Sequence, residues 1–447
     1  MGKYSIRELI DQGSFICESC GKEHSAKLTD VIIGEGAVFS LVDSINRLGG
    51  KRVFLLDDEN TKAAAGKTVC DILEKAGVPY TEYTMGKERI EPDEKAIGSI
   101  IMHFDGKCDI LVTLGSGVLN DLGKILAFTA KLPYIVVGTA PSMDGYASNS
   151  SAVIRDGLKV SLMVKNPDIV IGDTDILITA PERMKASGIG DMLAKYISIC
   201  EWRISHLING EYYCATTADM ILESLKKCVD ALEYGINSKQ AAEAIMEGLV
   251  LSGIGANYVG ISRPVSGMEH YFSHIWDMRN AEFGTPNDFH GIQCGIGTYD
   301  VLKVYEEIRK ITPDREKALK AVAAFDYGKW TEYLCEKLGN AAKAMIDNEA
   351  KEQKYNKEAH KERLEKIIAN WDEIIKIAET LPSSESIRKL LIGINAPVSP
   401  TEINLPKEDE RMAFVIAKDI RDKYIGSRLL WDIGELDEVA DKLFGNA

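Results

Sequence analysis

Short apolar segments alternate with helix-like segments from Asp30 to Pro141, and this alternation constrains the fold more than any other feature of the sequence. The apolar segments include "DVIIG", "KRVFLLDD", "CDILVTLGSG" and "PYIVVGTA", and a helix-like stretch separates each from the next. Parallel strands need a long crossover between them, usually a helix. The alternation therefore predicts a mostly parallel sheet with helices on its faces.

The pattern changes after Pro141. Two apolar segments in "SAVIRDGLKVSLMV" flank Asp156 and Gly157, which is typical of a β-hairpin, and the strand-like "DIVIGDTDILI" follows. From Pro181 onward the periodicity is helical and no convincing strand appears. We therefore predict an α/β domain over residues 1–178 and an all-helical domain over residues 179–447.

The composition excludes several classes of function. The chain has 447 residues and a net charge of −15, which disfavours sequence-independent binding to nucleic acid or to anionic lipid surfaces. No apolar run approaches the roughly 18 residues of a membrane-spanning helix, so no membrane insertion is expected. The N-terminus lacks a secretory pattern and the nine cysteines show no framework spacing, so the cytoplasm is the expected location.

A glycine-rich turn follows one predicted strand in "ILVTLGSGVLNDLGK". Gly115 and Gly117 let the backbone approach a ligand closely, and the amides that start the next helix favour a pyrophosphate. Asn120 stands where the usual dinucleotide fingerprint has its third glycine. On this basis the segment is either a dinucleotide-binding turn or a tight strand-to-helix turn without a ligand.

Two carboxylates end an earlier predicted strand in "FLLDDEN". Asp57 or Asp58 can accept hydrogen bonds from an adenosine ribose, or either can cap the next helix. In the ordinary fingerprint this acid follows the glycines, whereas here it precedes them. The reversed order indicates a sheet topology different from the usual one.

Three of the seven histidines fall in one short window. His270 and His274 are four residues apart, so a helix places them on one face, and His290 follows a loop that allows the chain to turn back. Converging imidazoles with one carboxylate and open positions are typical of a catalytic metal site. Asp191, just after Gly190, offers that carboxylate, although an aspartate there can also be a helix cap.

The remaining histidines carry weaker signals. His103, His206 and His360 lie in ordinary helical contexts. "CESCGKEH" places two cysteines and a histidine at the spacing of half a zinc site, without a second CxxC nearby. Mixed Lys and Glu runs in the C-terminal third, near residues 340–370, are typical of solvated helix faces.

Five motifs in order, "GSGVLNDLGK", "APSMDGYAS", "GIGDMLAK", "SGMEHYFSH" and "FHGIQCGIG", resemble the iron-containing alcohol dehydrogenase and dehydroquinate synthase superfamily. Within it they look most like the sn-glycerol-1-phosphate dehydrogenases, particularly the bacterial AraM-like branch. The resemblance covers roughly residues 30–300. It implies a dehydroquinate synthase-like fold, with an N-terminal dinucleotide-binding domain, a helical C-terminal domain and a catalytic metal ion in the cleft between them.

The resemblance also implies roles for individual residues. Asp191, His270 and His290 fall on the family's metal ligands. His274, Asp144 and also Asp191 fall on positions that contact substrate, with Asp191 and His274 as the catalytic pair. The positions that match the nicotinamide-cofactor site are Asp58, Gly115, Ser116, Gly117, Asn120, Asp121, Thr139, Ser142 and Ser148.

The implied reaction is reversible reduction of dihydroxyacetone phosphate by NAD(P)H, giving sn-glycerol 1-phosphate for phospholipid synthesis. An acid at Asp58 disfavours a 2′-phosphate, so NAD is expected before NADP. The metal is Zn²⁺, Ni²⁺ or Fe²⁺, and the family implies a homo-oligomer, a dimer in particular. Arg263, beside the histidines, is the candidate phosphate partner.

Three alternatives remain open from the sequence. A glycerol dehydrogenase would use the same metal and cofactor on an uncharged triol or on dihydroxyacetone. A lyase of the dehydroquinate synthase type would regenerate its cofactor within each turnover. A binding or regulatory homologue would catalyse no reaction at all.

Overall fold

The computed structural model describes residues 4–87, 90–155 and 158–445, and the side chains of Leu158, Lys159 and Ala350 lie outside that description. The chain forms two compact units. One comprises Met1–Met192 with Ala215–Ile261, and the other comprises Leu193–Cys214 with Ser262–Ala447. The domain boundary expected between residues 178 and 179 stays a prediction.

All strands of the described residues lie in the first unit, which also contains its own helices. The strands are β1 Phe15–Ile16, β2 Glu23–His24, β3 Asp30–Gly34, β4 Val53–Asp58, β5 Tyr80–Met85, β6 Ile110–Gly115, β7 Tyr134–Gly138, β8 Ser150–Arg155, β9 Leu158–Met163 and β10 Ile169–Asp173. The helices are α1 Ile6–Asp11, α2 Leu41–Arg47, α3 Glu59–Thr61, α4 Lys67–Lys75, α5 Glu94–His103, α6 Gly117–Ala130, α7 Thr174–Leu177, the start of α8 Glu182–Asn209, α9 Ala215–Ala231 and α10 Lys239–Val259.

Among the described residues of the second unit, the regular elements are all helices. It contains the remainder of α8 and then α11 Met268–Phe283, α12 His290–Ile308, α13 Arg315–Ala324, α14 Tyr327–Leu338, α15 Ala341–Glu352, α16 Lys357–Ala369, α17 Trp371–Glu379, α18 Ser384–Gly393, α19 Glu408–Ala417, α20 Gly426–Asp432 and α21 Leu436–Phe444. The charged stretch near residues 340–370 forms α15 and α16, as its composition indicates.

Six strands form one parallel sheet in the order β3-β10-β7-β6-β4-β5. The central strands β6, β7 and β10 are buried along their whole length, because helices cover both faces of the sheet. Continuous Val, Ile and Leu runs such as "ILVTLG" suit that position. The parallel α/β sheet predicted from the alternation is therefore confirmed, and β8 pairs antiparallel with β9 as the hairpin prediction required. The Asp156 and Gly157 turn itself lies outside the described residues.

The order of the sheet creates a switch point between β4 and β6. From β4 the chain continues outward to β5, whereas from β6 it proceeds in the opposite direction through β7 to β10. In open α/β sheets ligands bind beyond the carboxyl ends of the strands at such a point. The topology thus differs from the usual dinucleotide fold, as the position of the acid before the glycines predicted.

Candidate functional site

The glycine-rich turn joins the end of β6 to the start of α6. A Cβ at Gly115 would lie 2.6 Å from Cβ of Leu119, so the turn requires glycine there for steric reasons. Ser116 donates a hydrogen bond to the backbone oxygen of Ala140 at 3.2 Å, and its Oγ lies 2.5 Å from Oγ of Ser142. The amide of Thr139 donates to the oxygen of Gly115. These contacts join the loops that follow β6 and β7, at the carboxyl ends of these strands.

Three of the predicted cofactor residues make internal contacts that hold the segment before and into β8. Asn120 is buried and its Nδ2 donates to the oxygen of Gly145 at 3.0 Å. Asp121 accepts from the amide of Ala152 at 3.2 Å and forms an ion pair with Lys124 at 2.8 Å. The hydroxyl of Ser148 donates to the oxygen of Ser150 within the same segment. Each of these positions therefore has a structural contact, whatever else it binds.

The two aspartates at the end of β4 have different environments. Asp58 caps α3, because its Oδ1 accepts from the amides of Asn60 and Thr61 at 2.8 Å each. Asp57 is buried, and that burial raises its pKa to about 7. The interpretation of Asp58 as a helix cap is thus confirmed. Because β4 pairs directly with β6, Asp58 also lies on the strand next to the one that carries Gly115.

Asp191 lies on α8 and is fully buried. Its Oδ2 accepts a hydrogen bond from the backbone amide of Asp144 at 2.9 Å, so the structure brings these two predicted residues together. One turn earlier on α8, a Cβ at Gly188 would lie 2.0 Å from the backbone oxygen of Pro141. The glycine in "GIGD" therefore allows the helix to approach the loop that carries Asp144.

The second unit brings its three clustered histidines together. His270 and His274 share one face of α11, and His290 is the first residue of α12. The ring centroids of His270 and His290 are 5.0 Å apart, and that of His274 lies 6.4 Å from His270 and 5.9 Å from His290. α11 ends at Phe283, and its C-cap Gly284 has a φ of +67° that allows the chain to turn back, as the sequence predicted.

A close approach of α11 and α12 makes this convergence possible. A Cβ at Gly297 would lie 2.7 Å from the backbone oxygen of Glu269, so the two helix backbones are nearly in contact there. The "GIG" that ends the last motif therefore has a packing role. His270 is the residue after that contact, which places its ring beside the first turn of α12.

Neighbouring polar groups orient two of the three rings. Oε1 of Glu269 lies 2.8 Å from Nδ1 of His270, and the hydroxyl of Ser273 lies 2.9 Å from Nδ1 of His290. Gln293 in turn donates to Ser273 and to Asp277 at 3.0 Å each. A ring that is held at Nδ1 presents Nε2 as its ligand nitrogen, which is the arrangement that metal-binding histidines use. The donor set of the second unit therefore fits a divalent transition-metal ion.

Cys294 also belongs to this cluster and was not identified from the sequence. The thiol of Cys294 lies 3.6 Å from Nε2 of His290, and Cys294, His270 and His290 form a group whose ligand atoms lie within 4.8 Å of one another. Burial raises the pKa of the Cys294 thiol, but the His270 and His290 rings outweigh it and hold that pKa below its ordinary value. The i, i+4 spacing to His290 was the available signal.

Arg263 is not placed to bind a substrate phosphate. Its side chain is fully buried, and its Nη2 donates to the backbone oxygens of Glu201 and Tyr424 at 2.8 and 2.6 Å. Its Nε contacts Glu211 at 3.2 Å. The expectation that Arg263 binds phosphate is therefore wrong, because the side chain is fully buried and protein oxygens already bind its Nε and Nη2.

Across the described residues, every helix is too short or too polar to cross a membrane.

Comparison with known proteins gives consistent results for family and fold. Residues 32–181 match the family described as iron-containing alcohol dehydrogenase. The chain resembles glycerol dehydrogenase of Schizosaccharomyces pombe, with a TM-score of 0.58 and 16% identity over 93% of this chain and 90% of that one, which supports the fold.

Several relatives are more similar to this chain in sequence than that glycerol dehydrogenase is. The chain is 28% identical over 412 residues to glycerol-1-phosphate dehydrogenase (NAD(P)+) of Halalkalibacterium halodurans, covering 91% of this chain and 93% of the relative. It is 30% identical over 320 residues to the enzyme of the same name from Methanosarcina barkeri, covering 70% and 86% of the two chains. The motifs, the fold and these identities agree, and the chain belongs to the glycerol-1-phosphate dehydrogenase family of the iron-containing alcohol dehydrogenases.

Proposed function

We propose that this protein catalyses the reversible, NAD(P)H-linked reduction of dihydroxyacetone phosphate to sn-glycerol 1-phosphate, with a divalent ion held by Asp191, His270 and His290. The observation that carries the proposal is the pair of oriented imidazoles in the second unit, with ring centroids 5.0 Å apart. Membership of a family whose relatives are named for this dehydrogenase supports the substrate.

The chain's own residues supply orientation and proton handling. The bound groups supply a positive charge that polarises the substrate carbonyl and a hydride that reduces it. Glu269 and Ser273 hold the His270 and His290 rings in their orientations through contacts at Nδ1. We assign His274, one helical turn from His270, to contact a substrate hydroxyl and deliver the proton. Asp144, whose amide is anchored by Asp191, is assigned to the substrate as well.

The cofactor is assigned to the switch point of the sheet. The loop Gly115 to Gly117 and the start of α6 would accept the pyrophosphate, and Thr139, Ser142 and Ser148 would border the remainder of the cofactor. Asp58, at the end of the adjacent strand, would accept hydrogen bonds from the adenosine ribose and disfavour a 2′-phosphate. NAD is therefore proposed as the preferred cofactor, with NADP accepted more weakly.

Other features of the proposal come from the family and the composition. We propose a homodimer, a cytoplasmic location and a role in phospholipid synthesis. The ligand types of Asp191, His270 and His290 suit Zn²⁺, Ni²⁺ and Fe²⁺, so supply and geometry determine which of them is bound.

Steady-state kinetics test the proposal. Metal-depleted protein is reconstituted separately with Zn²⁺, Ni²⁺ and Fe²⁺, and NADH oxidation is followed with dihydroxyacetone phosphate and with dihydroxyacetone. We expect a much higher kcat/KM for the phosphorylated ketone. His290→Ala should remove activity, whereas His206→Ala, a change of the same type in an ordinary helical position, should not. A preference for unphosphorylated dihydroxyacetone, or phosphate release without net NADH consumption, would overturn the assignment.

A further inference from the structure

The N-terminal "CESCGKEH" segment folds into a small hairpin that the proposed reaction does not use. β1 pairs antiparallel with β2, and Phe15 faces His24 in the register. The amide of Cys17 donates to the oxygen of Lys22 at 2.9 Å, and the amide of Gly21 donates to the oxygen of Cys17 at 2.8 Å. Gly21 has a φ of +70°, which a side chain other than glycine rarely adopts. This tight turn brings the side chains of Cys17, Cys20 and His24 to one point.

The distances between these side chains suit one small metal ion. The two thiols and a ring nitrogen of His24 all lie within 4.8 Å of one another, and Cys20 Sγ is 3.4 Å from His24 Nε2. Tetrahedral Zn²⁺, with Zn–S of about 2.3 Å and Zn–N of about 2.0–2.1 Å, places its ligand atoms roughly 3.5–3.8 Å apart. Small movements of the side chains are therefore enough to coordinate an ion.

Burial of the cluster supports a bound ion rather than an exposed polar turn. Cys17 is 1% exposed and His24 is fully buried. The His24 ring stacks on the Tyr258 ring, with the two ring centroids 4.7 Å apart, and packs edge-on against the Phe15 ring. His24 Nδ1 is buried without a hydrogen-bond partner among the residues that the structure describes.

A hairpin with two-residue strands has too little pairing to be stable by itself. Its turn is attached to α9, because the amide and the hydroxyl of Thr216 lie 3.3 and 3.0 Å from Ser19 Oγ.

Cys214 is the candidate for a fourth ligand. It is peptide-bonded to Ala215, the first residue of α9, and precedes by two residues the Thr216 that contacts Ser19. It is the remaining member of the candidate ligand group that contains Cys17, Cys20 and His24. No signal in the sequence connects Cys214 with the N-terminal motif. A zinc site of this type usually has a second CxxC, whereas here a single cysteine far along the chain takes its place.

We infer that Cys17, Cys20, His24 and Cys214 form a structural Cys3His zinc site that fastens the N-terminal hairpin to the start of α9. Four protein ligands leave no open position, which is the mark of a structural rather than a catalytic zinc site. Soft thiolates also favour Zn²⁺ over the harder Mg²⁺ and Ca²⁺. The inference does not depend on the proposed function.

The first test is the metal content of the full-length protein, purified without chelator. Wild-type protein should contain one zinc per chain more than Cys20→Ser and Cys214→Ser. Cys335→Ser, the same change at an exposed cysteine, should retain the wild-type content. Equal zinc contents in wild type, Cys20→Ser and Cys214→Ser would overturn the inference.

The second test uses Co²⁺, and its first readout needs only the wild-type protein. Wild-type protein loaded with Co²⁺ should show the strong near-ultraviolet thiolate-to-cobalt band and the visible bands of a tetrahedral site. Cys294→Ser should keep the thiolate band, which separates this site from the histidine cluster, whereas Cys214→Ser should lose most of it. A wild-type spectrum without the thiolate band, or one that only Cys294→Ser removes, would contradict the inference. Neither readout requires turnover.

Discussion

Oε1 of Glu269 lies 2.8 Å from Nδ1 of His270, the next residue in the chain. The same oxygen accepts the backbone amide of Gly267 at 2.7 Å, so the carboxylate is held in place from two sides. Both side chains are buried. A carboxylate behind a histidine fixes the tautomer of the ring and raises its basicity as a ligand.

Replacing Glu269 with glutamine keeps its shape and removes its charge. We expect Glu269→Gln to bind the divalent ion about 10–100-fold more weakly, because the ring loses its charged partner. Competition with a fluorescent chelator measures the change directly. Glu332→Gln, at an exposed position, is the matched control and should leave the affinity unchanged.

Asp58 combines a helix cap with the proposed ribose contact, and two substitutions separate these roles. Asparagine caps helices nearly as well as aspartate, so Asp58→Asn should keep the thermal stability. The same variant should bind NADH more weakly, and its preference for NADH over NADPH should decline. Asp58→Ala should lose both, with about 0.5–2 kcal/mol less stability. Fluorescence titration with NADH and NADPH and thermal unfolding distinguish the outcomes. Unchanged NADH affinity in Asp58→Asn would remove Asp58 from the cofactor site.

Gly188 should tolerate no side chain. A Cβ there would lie 2.0 Å from a backbone oxygen of Pro141, and backbone cannot move aside as a flexible side chain can. We expect Gly188→Ala to reduce the free energy of unfolding by about 1–3 kcal/mol or more. Gly98→Ala is the matched control within α5, where a Cβ would have no neighbour within 4 Å. It should raise stability by about 0.4–1 kcal/mol in chemical denaturation.

The buried carboxyl of Asp57 predicts a pH dependence of stability. Burial raises its pKa to about 7, well above the roughly 3.9 of an exposed aspartate in the unfolded chain. The folded state therefore binds the extra proton, and this contribution to stability is complete below about pH 4 and is lost as the pH rises through 7.

Asp57→Asn should flatten the pH dependence of the unfolding midpoint between pH 4 and 7. The charge-free amide cannot titrate, so the loss expected for the wild type, on the order of 3 kcal/mol, should largely disappear. Asp43→Asn, at an exposed position, should keep the wild-type slope. Identical slopes in the wild type and Asp57→Asn would show that another group is responsible.

The sequence was sufficient to predict the parallel sheet, because buried strands such as β6 and β7 are continuous Val, Ile and Leu runs between helix-like segments. It could not predict that α9 and α10 belong to the first unit, since this depends on packing between distant segments. Spacing predicted the convergence of His270, His274 and His290, which the structure shows. The proposed roles of these residues, and of Asp191, stay predictions.

Side-chain contacts were the other limit, because the order of the residues does not show them. Glu269 was not identified from the sequence, since its role rests on the contact of its carboxylate with the His270 ring. Arg263 was misjudged because its contacts could not be foreseen either. Its neighbours in the sequence suggest an open site, whereas the backbone oxygens that it binds come from Glu201 and Tyr424, far from it along the chain.

The sheet order has a consequence for biosynthesis. β3 is the first strand of the sheet to leave the ribosome, yet its neighbour in the sheet is β10, the last one. At about 5–20 residues per second, β3 waits on the order of ten seconds before the strand it pairs with has been translated. During that interval "DVIIG" presents unsatisfied amides and carbonyls to any other nascent strand. Chaperone dependence and aggregation of this protein should therefore arise from its N-terminal edge, and should ease once residue 173 has emerged.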